Sequence, residues 1–250
     1  MILGIIPARY ASTRLPGKPL IDLCGQTMVE RVWRAASSSP ALDRVIIATD
    51  DERVVAEAQR IGAEAHLTSP DLPSGTDRCD ALVRALRLQP DVVVNIQGDE
   101  PLLAPSVLTL LVNTLQSSGA DVSTPVSRLL FPAELDDPGV VKVARSVNGD
   151  ALYFSRSPIP FLRSVDRSQW TTSYTYWKHI GIYAYTRDAL RRHVFLPPSP
   201  LERAESLEQL RLLEDGARFV CVETEQMFMA VDTIEDAERV RAWLRTSQGR

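Results

Sequence analysis

Apolar and polar positions alternate along the chain with two periods, and the switch between them outlines the fold. The run "ILGII" (2 to 6) is a buried strand, and Met28, Val29, Val32, Trp33 and Ala36 recur at helical spacing after it. "RVIIATD" (44 to 50) then reads as a strand and "DERVVAEAQRIGA" (51 to 63) as a helix. The spacing predicts a further helix from Thr76 to Leu88, the strand "DVVVNIQ", and a helix from Pro105 to about Ser117 stopped by Gly119. "VVVNI" is apolar on both faces, as a parallel strand covered on both sides must be. The pattern therefore predicts an α/β protein with an open, mainly parallel, doubly wound sheet and helices on both faces. Ligands of such sheets bind beyond the carboxyl ends of the strands. From about 125 to 178 the alternation stops in a stretch rich in proline, serine and threonine that carries Trp170, Tyr174, Tyr176 and Trp177. It reads as a segment inserted into one domain spanning 1 to 250, with exposed aromatics suited to a partner surface.

Directly after the first strand, at the ligand-binding edge, lies "PARYASTRLPGKPL", which places Arg9, Arg14 and Lys18 among three prolines. The whole chain carries a net charge of −4, which argues against a general nucleic-acid binder and makes these cations a local feature. No GxxxxGK[ST] or GxGxxG turn is present, so neither a P-loop nor a dinucleotide turn accounts for the loop. Two guanidinium forks and an ammonium on a proline-stiffened loop could wrap a triphosphate, with Gly17 allowing close backbone approach. A solvated surface loop has the same composition. Three widely spaced cysteines without a CxxC pair fit a reducing compartment, and no segment has the length of a membrane span, so a cytoplasmic protein is expected.

Other segments add chemistry. In "NIQGDEP" (95 to 101) a buried strand ends in two acids that point to opposite sides if strand geometry persists, and Asp99 is the metal candidate. In "VDTIEDAERVR" Asp232 precedes Thr233, a candidate N-cap of the last helix; two acids facing a cationic loop suit Mg²⁺. "SGTDR" (74 to 78) is a helix start capped by Ser74 or Thr76, with Asp77 complementing its dipole. On a strand, "HIGIYAY" puts His179, Gly181, Tyr183 and Tyr185 on one polar face with a gap at the glycine. From Ser199 to Gly216 the pattern predicts one helix, with Leu201, Ala204, Leu207, Leu210 and Leu213 along its buried side. Lys142, in "VVKVA", is a weaker active-site candidate.

The run "IIPARYASTRLPGKPL" resembles the N-terminal signature of the 3-deoxy-manno-octulosonate cytidylyltransferase (CMP-Kdo synthetase) family. The likeness continues through "SGTDR", "NIQGDEP", "ALYFSR", "HIGIYAY", "PLERAESLEQLRLL" and "VDTIEDAERVR", in order and over essentially the whole chain. It implies a nucleotidyltransferase-type, Rossmann-like fold, CTP as CMP donor, Kdo as acceptor for lipopolysaccharide synthesis, Mg²⁺ as cofactor, and a homodimer formed through the inserted segment. By position, it implies a triphosphate clamp of Arg9, Arg14 and Lys18 and magnesium ligands Asp99 and Asp232. It likewise implies a nucleobase pocket of Ser74, Gly75, Arg78 and Gln97, and sugar contacts from Arg156, His179, Tyr183, Glu208 and Gln209. The expected reaction is in-line attack of the sugar's anomeric hydroxyl on the α-phosphorus. Another acid sugar, such as 8-amino-Kdo or a sialic acid, would use the same clamp, and a non-catalytic nucleotide-binding relative is the reading from a different class.

Overall fold

The structure is a computed structural model that describes residues 1–11 and 14–247. In chain order the first elements are β1 (Ile2–Ala8), α1 (Met28–Ser37), β2 (Arg44–Thr49), α2 (Glu52–Ile61), β3 (Glu64–Leu67), α3 (Gly75–Ala85), β4 (Val92–Asn95) and α4 (Pro105–Ser118). There follow β5 (Val122–Arg128), α5 (Pro132–Asp136), β6 (Lys142–Arg145), β7 (Ala151–Ser155), α6 (Trp170–Ser173), β8 (Trp177–His179) and β9 (Tyr183–Thr186). The last are α7 (Arg187–Phe195), α8 (Pro200–Glu205), α9 (Gln209–Glu214), β10 (Phe219–Glu223) and α10 (Ile234–Ser247). The alternation is that of an α/β fold with a mostly parallel sheet and helices on both sides. Two compact units divide the chain: residues 1–109 with 226–250, and residues 110–225, α4 carrying the chain from the first into the second. The inserted stretch expected at 125–178 falls wholly within the second.

In the first unit the strands run β3-β2-β1-β4, all parallel. Ala8 lies opposite Thr49 and Ile5 opposite Asn95, so the carboxyl ends of β1, β2 and β4 leave the sheet at one edge. That register brings the loop after β1, Asp50 and the 96–99 turn together. Side-chain caps start the helices where the sequence predicts: Thr27 accepts from Glu30 N, Asp51 from Arg53 N and Ser74 from Asp77 N. Val93, Val94, Asn95 and Ile96 are fully buried, as a strand covered on both faces requires. At the chain's end Thr233 Oγ1 accepts from Asp236 N while the Asp236 carboxylate accepts from the main-chain N–H groups of Asp232 and Thr233. The reciprocal bonds fix Asp232 just ahead of α10.

In the second unit β5 is parallel to β10 and antiparallel to β8 and β9, while β6 pairs with β7 and β8. Three expectations need correction. The helix expected from Ser199 to Gly216 is two short helices, because Ser206 turns left-handed at φ 53°. Arg156 captures the carbonyls of Glu205 and Ser206 at the break, so Leu201 and Ala204 are exposed and the buried side begins at Leu207. The "HIGIYAY" strand is likewise interrupted: Ile182 N bonds Ile180 O in a tight turn between β8 and β9. Finally, the aromatics of the 125–178 stretch are not all exposed. Trp170 and Tyr176 are buried and stack at 6.1 Å in a small core with Leu129 and Leu135.

Candidate functional site

At the carboxyl edge of the first unit's sheet lies a cavity of about 410 Å³ lined by Pro7, Ala8, Arg9, Arg14, Lys18, Gln97, Gly98, Asp99 and Asp232 among others. The loop after β1 is closed on itself: Gly17 N donates to Tyr10 O, and a Cβ on left-handed Gly17 would stand 3.1 Å from the Tyr10 hydroxyl. The Tyr10 ring is covered in turn by the Arg53 guanidinium, and its main-chain N–H donates to Asp50. This closure delivers Lys18 to the acids. Its Nζ donates to Asp99 Oδ2 at 2.7 Å and to Asp232 Oδ1 at 2.9 Å, and Arg14 pairs with the same Asp232 oxygen at 3.0 Å. Burial works against the Lys18 charge, but the two carboxylates outweigh it and raise its pKa. Glu100, the other member of the acid pair, is buried at 7% exposure, so the two acids part as strand alternation requires.

Asp99 and Asp232 thus approach within reach of one ammonium from distant parts of the sequence. Hard carboxylate oxygens, few in number and open to a cavity, match a magnesium ion that keeps waters and substrate phosphates as its other ligands. Among the described residues no group of three or more His, Cys, Asp or Glu side chains forms, so the donor set is unlike a closed metal cage.

The nucleobase candidates lie on the same unit. Ser74 caps α3, and Gly75 is packed so that a Cβ would touch Pro7, a wall of the cavity, at 3.4 Å. Arg78 is fully buried; its Nη1 donates to Thr68 and its Nη2 lies 3.6 Å from Asp50, while Nε and Nη2 make no hydrogen bond among the described residues. Burial, with Arg9 nearby, lowers the pKa of this guanidinium against the pull of Asp50. Buried donors without acceptors are costly, and a base carbonyl or ring nitrogen is the kind of group that would satisfy them. Gln97 lines the cavity and Arg9, also lining it, donates to Pro70 O at 3.3 Å.

Sequence reasoning passed over Gly98, where a Cβ would meet Pro7 O at 2.8 Å, and Asp50, which holds both the Tyr10 main chain and Arg78. It also passed over Asn95, whose buried Oδ1 has no partner among the described residues. The glycine and the asparagine were visible in "NIQGDEP" as residues that a strand has no packing reason to choose. Asp50 was visible only as one more strand-end acid.

The sugar candidates are in the second unit. His179 sits between Phe154 and Tyr183, with ring centroids 5.0 Å and 5.3 Å away, and Tyr183 leans on Tyr185 at 5.6 Å. The aromatic row therefore survives the break in the strand. Thr124 Oγ1 bonds Ile182 O at 2.9 Å and His179 Nε2 at 2.9 Å; a hydroxyl that gives its proton to the carbonyl receives Nε2–H, leaving Nδ1 as the acceptor. Burial pushes the His179 imidazole down to about 3 and the Tyr183 phenol well above its ordinary value, the latter helped by the charge of Glu208. Glu208 heads α9 without using its carboxylate as a cap, and Gln209 is buried with its Nε2 unpartnered among the described residues. Arg156 ties Pro138 O, Glu205 O and Ser206 O together, and each Nη nitrogen still carries a further N–H for an incoming anion. Lys142 is fully buried with its ammonium on Asp137 O and Val140 O, which makes it a brace of the loop before β6.

Comparison with known proteins draws these features together. A family model described as cytidylyltransferase matches residues 3–224. A 3-deoxy-manno-octulosonate cytidylyltransferase of Solibacter usitatus is 47% identical over 247 residues, covering 98% of this chain and 95% of that protein. The enzyme of the same name from Cytophaga hutchinsonii is 43% identical over 240 residues, 96% of each chain. Among solved structures, a CMP:2-keto-3-deoxy-manno-octonic acid synthetase complexed with CTP superposes with a TM-score of 0.89 at 41% identity, covering 98% of this chain and 99% of that one. A cytidylyltransferase from Leptospira borgpetersenii shares the fold at 19% identity and a TM-score of 0.64. With relatives this similar over nearly their whole length, the chain belongs to the 3-deoxy-manno-octulosonate cytidylyltransferase family.

Proposed function

We propose that this protein transfers CMP from CTP to the anomeric hydroxyl of Kdo, giving CMP-Kdo and pyrophosphate, and so activates the sugar for lipopolysaccharide synthesis in the cytoplasm. The observation that carries the reading is the Lys18 ammonium held between Asp99 and Asp232 in a cavity that Arg9 and Arg14 also line. Arg9, Arg14 and Lys18 bind the triphosphate and balance charge that accumulates on the departing pyrophosphate, where preorganised cations act most strongly. Asp99 and Asp232 hold Mg²⁺; when bound, the ion supplies further charge neutralisation and lowers the pKa of a coordinated hydroxyl. Arg78, with Ser74, Gly75 and Gln97, reads the cytosine. In the chemical step a bond forms from the anomeric oxygen to the α-phosphorus as the bond to the bridging oxygen of the β-phosphate breaks; the hydroxyl proton passes to water and pyrophosphate departs.

On the second unit, the neutral His179, Tyr183, Glu208 and Gln209 meet sugar hydroxyls and Arg156 meets the sugar carboxylate. At about 3, His179 is too weak a base to take the hydroxyl proton, so its part is orientation. The active form is a homodimer, and apolar residues exposed on this unit, including Leu130, Phe131 and Phe161, supply surface for the second copy. Sedimentation at micromolar concentration tests the dimer. Pyrophosphate release from CTP with Kdo, 8-amino-Kdo or a sialic acid, with and without Mg²⁺, tests the reaction. Turnover with Kdo that stops on chelation supports the proposal, turnover with only another sugar corrects the acceptor, and silence with all three refutes it.

A further inference from the structure

The strand ends of the first unit are tied together by threonine hydroxyls, and the series leads to Arg78. Thr49 closes β2, and its Oγ1 donates to Ala8 O, at the end of β1, at 2.7 Å. Thr68 directly follows β3; its main-chain N–H donates to Thr49 O at 2.7 Å and its Oγ1 donates to the same oxygen at 2.9 Å. A hydroxyl has one proton, so the Thr68 oxygen then offers only lone pairs, and Arg78 Nη1 donates to it. Asp50 Oδ2, at 3.6 Å from Nη2, supplies opposite charge without a hydrogen bond. Among the described residues the guanidinium thus takes its charge balance from Asp50 and its direction from Thr68. Nε and Nη2, the two nitrogens along one edge of the buried fork, have no acceptor there.

We propose that Thr68 is a positioning residue for nucleobase recognition: its hydroxyl, anchored on the end of β2, sets the plane of the Arg78 guanidinium so that Nε and Nη2 meet the acceptor edge of cytosine. The inference rests on the base-reading role given to Arg78 above and adds a residue that no nucleotide atom touches. A planar fork donates along fixed directions, and a bond at Nη1 settles those directions before the base arrives, so binding does not have to order the side chain. Direction also decides which base is accepted. Cytosine presents ring N3 and carbonyl O2 as adjacent acceptors, whereas uracil carries a proton on N3 and turns a donor toward the same fork.

Two substitutions separate positioning from packing: Thr68→Val keeps the shape of the side chain and loses the hydroxyl, while Thr68→Ser keeps the hydroxyl and loses the methyl. The assay is calorimetric titration with CMP and with UMP, on both variants alone and in an Arg78→Met background. Positioning predicts that Thr68→Val weakens CMP about tenfold, the worth of roughly one charged hydrogen bond, while UMP, which gains nothing from an aimed fork, changes by less than about twofold. Thr68→Ser should stay near wild type. In Arg78→Met the valine should add less than about twofold, since its route to the base is gone. Should Thr68→Val fail to fold, Thr68→Cys, whose sulfur is a weak acceptor, should lose preference for CMP in the same direction. Equal weakening of CMP and UMP, a serine variant as poor as the valine, or additivity with Arg78→Met would overturn the inference while leaving the proposed reaction intact. If Arg78→Met kept the wild-type preference for CMP, the base-reading role itself would fall, and this inference with it.

Discussion

Replacing Lys18 with methionine tests the centre of the site because one atom, Nζ, joins its two acids. The side chain is 14% exposed, while Asp99 and Asp232 are 25% and 36% exposed. Removing one partner of a fully buried pair costs about 3–5 kcal/mol; water reaches these carboxylates and Arg14 remains on Asp232, so the loss discounts to about 1–2 kcal/mol. For a chain of this size that lowers Tm by about 3–6 °C without metal. The variant keeps both acids and loses the cation between them, so Mg²⁺ at about tenfold over its Kd should restore roughly 1.4 kcal/mol, more than it adds to wild type, where it competes with the ammonium. Turnover should still fall at least about a hundredfold, since the metal replaces the charge balance but not the clamp proposed for the triphosphate. The raised pKa of Lys18 gives the sign with pH: its contribution is complete below 10.5 and lost as pH climbs through the higher folded value. The Tm gap should therefore be flat from about pH 7 to 9 and narrow in alkali. Differential scanning fluorimetry with EDTA or Mg²⁺, beside the pyrophosphate assay, measures all of this. An unchanged Tm, or equal gains from Mg²⁺ in both proteins, would refute the bridge.

Three further outcomes are expected. With its pKa lowered to about 3, the His179 ring should show flat NMR shifts from about pH 8 to 5, and its contribution to stability should decline as pH falls below 6.5, where the unfolded chain takes up the proton; a ring titrating near 6 would contradict this. Burial pushes the Cys221 thiol up to about 12, so a thiol reagent at neutral pH should label half-buried Cys24 in the native protein well before Cys79 or Cys221, and equal labelling by mass spectrometry would count against that burial. Ser206→Gly removes a left-handed cost of about 1 kcal/mol against some gain in unfolded-state entropy, so Tm should hold or rise slightly. Ser206→Val should lower stability by about 1–2 kcal/mol and raise KM for the sugar by re-aiming Glu208, and a stable, fully active Ser206→Val would exclude strain at the break.

The sequence by itself determined the elements that rest on local physics. The strand–helix alternation, the caps at Ser74 and Thr233, the burial of 92 to 96 and the cationic loop after β1 were all legible, because period, capping chemistry and charge are properties of neighbours along the chain. The ordered motifs supplied the family, and with it site candidates that no periodicity could rank.

What only the tertiary structure decided depends on atoms remote in sequence. The break at Ser206 answers to Arg156, fifty residues earlier, which takes the carbonyls that a continuous helix would use; periodicity reads side chains and is blind to such capture. Trp170 and Tyr176 look like surface in an irregular stretch, yet they bury each other in a core of their own. The convergence of Lys18, Asp99 and Asp232 needed the parallel register of β1 and β4 and the reciprocal cap ahead of α10. Charge and residue type are written in the chain, but the distance between two charges is set by every turn between them.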